Sequence, residues 1–164
     1  MNTSEKNLRE AFAGESQANR KYLAYAKKAE EDGYKQIAKL FRAAAEAETV
    51  HAHNHLSELG GVRKTKENLE EAVKGETFEF REMYPKMIEE AGQENNKGAL
   101  RTFNLANEVE KIHADLFKKA LEDIGKNAET DYHVCRVCGN TVEGEPPDTC
   151  PVCGAKKQAF KKTE

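Results

Sequence analysis

No cysteine occurs before residue 135, and only one of the four prolines, Pro85, precedes residue 126. No apolar run approaches the ~18 residues that a membrane-spanning helix requires. The N-terminal segment MNTSEKNLRE lacks the apolar core of a signal peptide. Charged residues make up 34% of the chain, yet they balance to a net charge of -3, so there is no basic field for nucleic acid or an anionic membrane. No G-x-G-x-x-G fingerprint follows a strand-like segment, so no dinucleotide is expected as the chain's own cofactor. These absences lead us to expect a cytoplasmic protein without nucleic-acid or membrane partners. The cysteines are not scattered as in a secreted disulfide framework; clustered between 135 and 153 as two C-x-x-C pairs, they point to thiolate metal ligands.

Composition changes near residue 126. Before it the chain is rich in Ala, Glu, Lys and Leu with helical periodicity; after it come three prolines, several glycines and all the cysteines. The expected domains are therefore 1–126, helical, and 127–164, a small cysteine domain, with Gly125-Lys126-Asn127 as helix stop and linker. Four helices are expected, from about Ser4 to Glu31, Tyr34 to Leu59, Glu67 to Ala91 and Asn96 to Ile124, with a kink at Pro85. Four long helices with short connections suggest a bundle.

Stepping three and four residues along each helix gives the stripe expected to face the core. The stripes are Leu8, Phe12, Glu15, Asn19, Tyr22, Ala26; then Ile37, Phe41, Ala44, Glu48, His51, His55, Leu59; then Leu69, Ala72, Glu76, Glu79, Met83, Met87; and Phe103, Ala106, Glu110, His113, Phe117, Leu121. Each is interrupted near its middle by carboxylate. On any one helix a solvated glutamate is the ordinary explanation. Across four helices it is not, because unpaired buried carboxylates are costly and require cations.

Two helices repeat one unit, Glu48-x-x-His51 and Glu110-x-x-His113, whose i, i+3 spacing puts carboxylate and imidazole on one helix face. Glu15 and Glu79 supply the midpoint carboxylates of the other two. Two single glutamates plus two Glu-x-x-His units form the ferritin-like di-iron or di-manganese carboxylate pattern. Glu82, three residues after Glu79, lies on a neighbouring part of that face and by itself would read as a solvated glutamate beside Arg81. In the run EAETVHAHNH, Glu46 and His53 turn away from the Glu48–His51 face, and His55 lies one turn beyond His51.

In the C-terminal region Cys135-Arg136-Val137-Cys138-Gly139 and Cys150-Pro151-Val152-Cys153-Gly154 form matching knuckles, expected to hold one metal through four thiolates. Zinc and iron both accept that geometry, so the spacing leaves the metal open.

The phrase AFAGESQANRKY around Glu15, the phrase FEFREMYP, the two Glu-x-x-His units and the terminal CPVCG module together resemble the rubrerythrin family over nearly the whole chain. The resemblance implies an all-α ferritin-like four-helix bundle with a non-haem di-iron centre, followed by a rubredoxin-like domain holding one iron at Cys135, Cys138, Cys150 and Cys153. It implies reduction of hydrogen peroxide to water in oxidative stress defence. The electrons would come from reduced pyridine nucleotide through a separate reductase or rubredoxin. One iron would use Glu15, Glu48, Glu110 and either Glu82 or His51; the other would use Glu48, Glu79, Glu110 and His113. Tyr22 matches a tyrosine beside the site. The alternatives are a di-iron ferroxidase or oxygen-reducing oxidase, or an iron-binding protein without turnover.

In a ferritin-like topology the second and third helices run parallel, so their connection must climb the bundle. Residues 61–66 span only ~20–24 Å when extended, against roughly 36 Å required. An unwound first turn of helix 3, a simple up-down-up-down bundle or a second chain would each relieve the mismatch; of these a homodimer is expected, in which helices 1–2 of one chain complete the site with helices 3–4 of its partner.

Overall fold

The computed structural model describes residues 2–163. The helices are α1 (Thr3–Glu31), α2 (Lys35–Glu58), α3 (Thr65–Phe78), α4 (Tyr84–Gln93) and α5 (Lys97–Glu122), with a π-helical turn (Glu79–Met83) between α3 and α4. Three short strands follow: β1 (Tyr132–Cys135), β2 (Thr141–Glu143) and β3 (Phe160–Lys162). The chain divides into two compact units between Arg63 and Lys64.

The first unit is the hairpin of α1 and α2. The Asn2 side chain accepts the Glu5 N–H at 2.8 Å and caps the first orphan donors of α1. At the other end Gly33, with φ +85°, reverses the chain, while Tyr34 N–H reaches back to Ala29 O at 2.7 Å. The two helices approach closely through alanines. Ala26 and Ala29 are buried on α1, and Ala38, Ala45 and Ala52 are buried on α2 at a strict seven-residue spacing. Asn19 on α1 pins the pair by donating to Ala45 O at 2.7 Å and to Thr49 Oγ1 at 2.8 Å. Tyr22, Tyr25 and Phe41 add edge and tilted aromatic contacts. The apolar stripe expected of α2 thus takes part in this hairpin through Phe41 but does not make its closest approach. Ile37 on that stripe remains 47% exposed, because the alanines let the helices close on a neighbouring face.

The second unit contains α3, the π turn, α4, α5 and the cysteine module. Pro85 was expected to kink a single helix. Instead the helix widens before it: Tyr84 N–H bonds Glu79 O, five residues back. The wider turn accommodates a proline ring that would otherwise press on the carbonyl four residues earlier. On α5, Val109 and Ala114 are buried. The strands form an antiparallel sheet in the order β2-β1-β3, with His133 opposite Val142 on one side and Lys162 on the other. The module packs on α5 through β2. Among the described residues no helix is long and apolar enough to cross a membrane.

Candidate metal centres

The structure gathers metal-binding side chains in three places: Glu15, Glu48 and His51; Glu76, Glu110 and His113; and the four cysteines. In each group the ligand atoms lie within 4.8 Å of one another.

In the first unit, His51 Nδ1 stands 2.9 Å from Glu48 Oε2, as the i, i+3 spacing requires. Glu48 is largely buried, with 18% of its side chain exposed, while His51 is 54% exposed. In the second unit the same unit recurs: His113 Nδ1 lies 2.8 Å from Glu110 Oε2 and 3.8 Å from Glu76 Oε1. Both Glu–His separations suit ligands of one ion, since two atoms ~2.1 Å from a metal at about a right angle stand about 3 Å apart.

Glu76 was on the expected core stripe but not among the expected ligands, and it occupies the place expected for Glu79. Glu79 is half-buried and lies near this group, close enough for the charges of Glu110 and His113 to act on it. Glu82 is exposed and lies outside the cluster, over a surface of Phe78, Met83 and Lys86. The physical reason is the π turn. With one extra residue per turn, three residues beyond Glu79 fall short of the face that Glu76 and Glu79 share. The signal available in the sequence was Glu76's position on the stripe, three residues before Glu79.

The electrostatics describe carboxylates awaiting cations. Burial, the hydrogen bond to Glu110 and the charges of Glu110 and Glu79 push Glu76 up to about 7. Burial and Glu110 raise Glu79 as well, against a smaller opposing effect of His113. Tyr84 also faces the cluster: burial and the charges of Glu110, Glu79 and Glu76 hold its phenol above the ordinary value of 10.0. Tyr22 instead packs against Tyr25 and Phe41.

His113 has a second partner. Its Nε2 stands 3.0 Å from Thr141 Oγ1 on β2, and the Thr141 hydroxyl donates to Gly139 O at 3.1 Å. With that proton committed, Thr141 accepts from Nε2–H, which leaves the Nδ1 lone pair for a metal between the imidazole and the carboxylates.

The cysteine module is built as two matching loops. Cys135 N–H bonds Asn140 O at 2.9 Å, and Cys150 N–H bonds Ala155 O at 2.7 Å. Gly139 and Gly154, both at positive φ, return N–H groups to Cys135 O and Cys150 O. The sulfurs of Cys135 and Cys153 are 3.7 Å apart, as are those of Cys138 and Cys150. A tetrahedron with ~2.3 Å metal–sulfur bonds has edges of about 3.8 Å, so the cage fits one four-thiolate ion. Burial pushes the Cys138 thiol up. Cys150 is also desolvated, but N–H groups of Cys153 and Val152 bring it down to about 7.

Comparison with known proteins gives a family for both parts of the chain. The family model "Rubrerythrin" matches residues 6–121, and the model "Rubrerythrin, rubredoxin-like domain" matches residues 133–161. The chain is 37% identical to Rubrerythrin-2 of Clostridium acetobutylicum, covering 94% of this chain and 93% of that protein. It is 35% identical to nigerythrin of Nitratidesulfovibrio vulgaris, covering 94% and 83%. The solved structure of fully reduced, all-ferrous nigerythrin matches with a TM-score of 0.59 at 34% identity, covering 99% of this chain and 88% of that one. The Glu/His clusters and the four-cysteine cage match the family's di-iron and rubredoxin-like iron cofactors. The chain belongs to the rubrerythrin family, with a helical ferritin-like domain followed by a small rubredoxin-like domain.

Proposed function

We propose that this protein reduces hydrogen peroxide to water in the cytoplasm as part of oxidative stress defence. Its electrons arrive singly through the four-cysteine iron from an NADH-linked reductase or a rubredoxin. The observation that supports this reading most directly is the bond from His113 Nε2 to Thr141 Oγ1. It joins a carboxylate–imidazole cluster to the loop that carries Cys138, through Thr141 and Gly139. A storage or simple binding protein has no use for such a link.

The overall step consumes one peroxide, two electrons and two protons and releases two waters. Two bound ferrous ions would supply the electrons and the Lewis acidity for O–O cleavage. Glu15, Glu48, Glu76, Glu110, His51 and His113 would hold them, with Glu79 as the further carboxylate where the resemblance had implied Glu82. Glu110 and His113 stay oriented by their mutual contact and by Thr141. Burial and the charges of Glu110, Glu79 and Glu76 hold the Tyr84 phenol above its ordinary value, so it keeps its proton at physiological pH.

The assembly we propose is a homodimer exchanging helix pairs. Glu48 lies about 17 Å of helix from Leu59, and Glu76 lies about 17 Å from Thr65. The intervening residues span only about 20–22 Å when extended, less than the climb a single-chain crossover demands. Each chain's α1–α2 would then meet the partner's α3–α5.

Stopped-flow oxidation of the diferrous protein tests the activity. Peroxide should oxidise it at least about tenfold faster than dioxygen at equal concentration. Faster reaction with dioxygen would replace this reading with an oxidase.

A further inference from the structure

Asn140 is 1% exposed, the one side chain in the described core that is both polar and buried. Its Nδ2 lies 3.6 Å from Cys150 Sγ, and its Oδ1 has no partner. A buried amide with an orphaned carbonyl is unfavourable, and an apolar side chain of similar size would remove that burden. The compensation visible in the structure is the contact with sulfur.

The pseudo-symmetry of the module isolates what is special about this residue. Asn140 and Ala155 hold equivalent places: each follows the glycine of a knuckle, and each offers its carbonyl to the first cysteine of that knuckle. Each also turns its backbone N–H toward the second cysteine, Asn140 toward Cys138 and Ala155 toward Cys153. Those backbone donors belong to the loop and survive substitution. Only the Asn140 knuckle adds a side-chain donor, and that donor crosses to the opposite knuckle.

We propose that Asn140 is a positioning residue that raises the reduction potential of the four-cysteine iron by donating its side-chain N–H to the Cys150 thiolate. The inference rests on the iron-relay reading above only in taking the cage to hold iron. Adding one electron to that iron breaks no bond and moves no proton, but it leaves one more negative charge on the cage. A donor aimed at a thiolate favours the more negative, reduced state. It therefore biases the relay toward accepting electrons. The amide orientation follows from the same chemistry, since a carbonyl oxygen turned to the thiolate would oppose two acceptors.

The test is a spectroelectrochemical titration of the intact iron-loaded protein, read at the thiolate-to-iron absorption and carried out without peroxide. In Asn140→Leu, the ratio of reduced to oxidised iron at the wild-type midpoint should fall about three- to tenfold, a full tenfold corresponding to 59 mV for one electron. Asn140→Ser, which retains a shorter donor, should fall between Leu and wild type. An unchanged midpoint in an Asn140→Leu protein with normal absorption would overturn the proposal. If that variant does not retain metal, wild-type protein loaded with cadmium-113 decides the matter. A scalar coupling between the cadmium and the Asn140 side-chain amide protons is expected, and its absence would overturn the proposal. Because no peroxide is involved, failure of the peroxidase reading would leave this result unaffected.

Discussion

The two carboxylate–imidazole clusters are built from one local unit and differ in what surrounds it. Glu48–His51 and Glu110–His113 have nearly the same contact, 2.9 and 2.8 Å. Yet His51 is 54% exposed and His113 only 27%, and His113 alone is held from behind by a threonine of the cysteine module. The first cluster draws on two regular helices, α1 and α2, while the second includes a helix that continues into a π turn, near which Glu79 and Tyr84 feel the charge of Glu110. An i, i+3 repeat therefore places ligands, while their neighbours decide how firmly each is held. In the single chain, His113 is fixed by Thr141 as well as Glu110, whereas Glu48 is the side-chain partner of His51.

The largest effect expected from this comparison concerns how the halves combine. Glu15→Ala and Glu110→Ala chains should each be nearly inactive, but mixed by co-refolding they should recover about a quarter of wild-type turnover. In an exchanged heterodimer one of the two sites receives both intact halves. No recovery, with heterodimers present by native mass spectrometry, would place all four helices of a site in one chain.

Next in size is the choice among the acidic residues of FEFREMYP and the glutamate before it. Glu76→Ala should lower peroxide turnover at least about a hundredfold and reduce iron content, whereas Glu82→Ala should stay within about twofold. Equal losses would mean that the π turn does not sort these carboxylates. The asymmetry of the histidines gives a third test. Thr141→Val should slow re-reduction of the oxidised di-iron centre about ten- to a hundredfold in single-turnover kinetics, the range seen when a ligand's supporting partner is removed. Exchange of Thr49, which bonds only within the hairpin, should leave that rate unchanged.

Two smaller effects concern stability. Ala45→Leu, at a position 1% exposed between α1 and α2, should cost about 1–3 kcal/mol in denaturant unfolding through overpacking. The smallest involves Lys119 on α5 and Glu143 on β2, an ion pair on the seam between helix and module. Lys119 holds the Glu143 carboxyl below its ordinary 4.5, so folding binds fewer protons there than the unfolded chain. The stabilisation is fully present above about pH 4.5 and is lost as pH falls through the lower, folded value. The melting-temperature difference between wild type and Lys119→Met should therefore be visible at pH 7 and shrink progressively below pH 4.5.

Helix positions, the Glu-x-x-His repeats and the paired cysteine knuckles were all legible in the chain, because each depends on spacing within one element. The aim of the carboxylates around Pro85 was not. A uniform turn of 3.6 residues makes Glu79 and Glu82 neighbours, and only the hydrogen bond from Tyr84 N–H back to Glu79 O reveals the extra residue that turns Glu82 outward. The alanine seam of Ala38, Ala45 and Ala52 was similarly hidden behind the larger side chains of Ile37 and Phe41. Hydrophobicity marks large residues, whereas close helix approach selects small ones.

By itself the sequence determined which residue types could bind metal, and that two Glu–His pairs and four thiolates would each converge. Those facts follow from the period of a helix and the reach of a C-x-x-C-G loop. Only the tertiary structure decided that Glu76 joins Glu110 and His113, that Thr141 fixes His113 from the module, and that Asn140 donates to Cys150 from the opposite knuckle. Each of these contacts joins residues 10 to 37 apart in the chain, and such distances are set by packing between elements rather than by any local repeat.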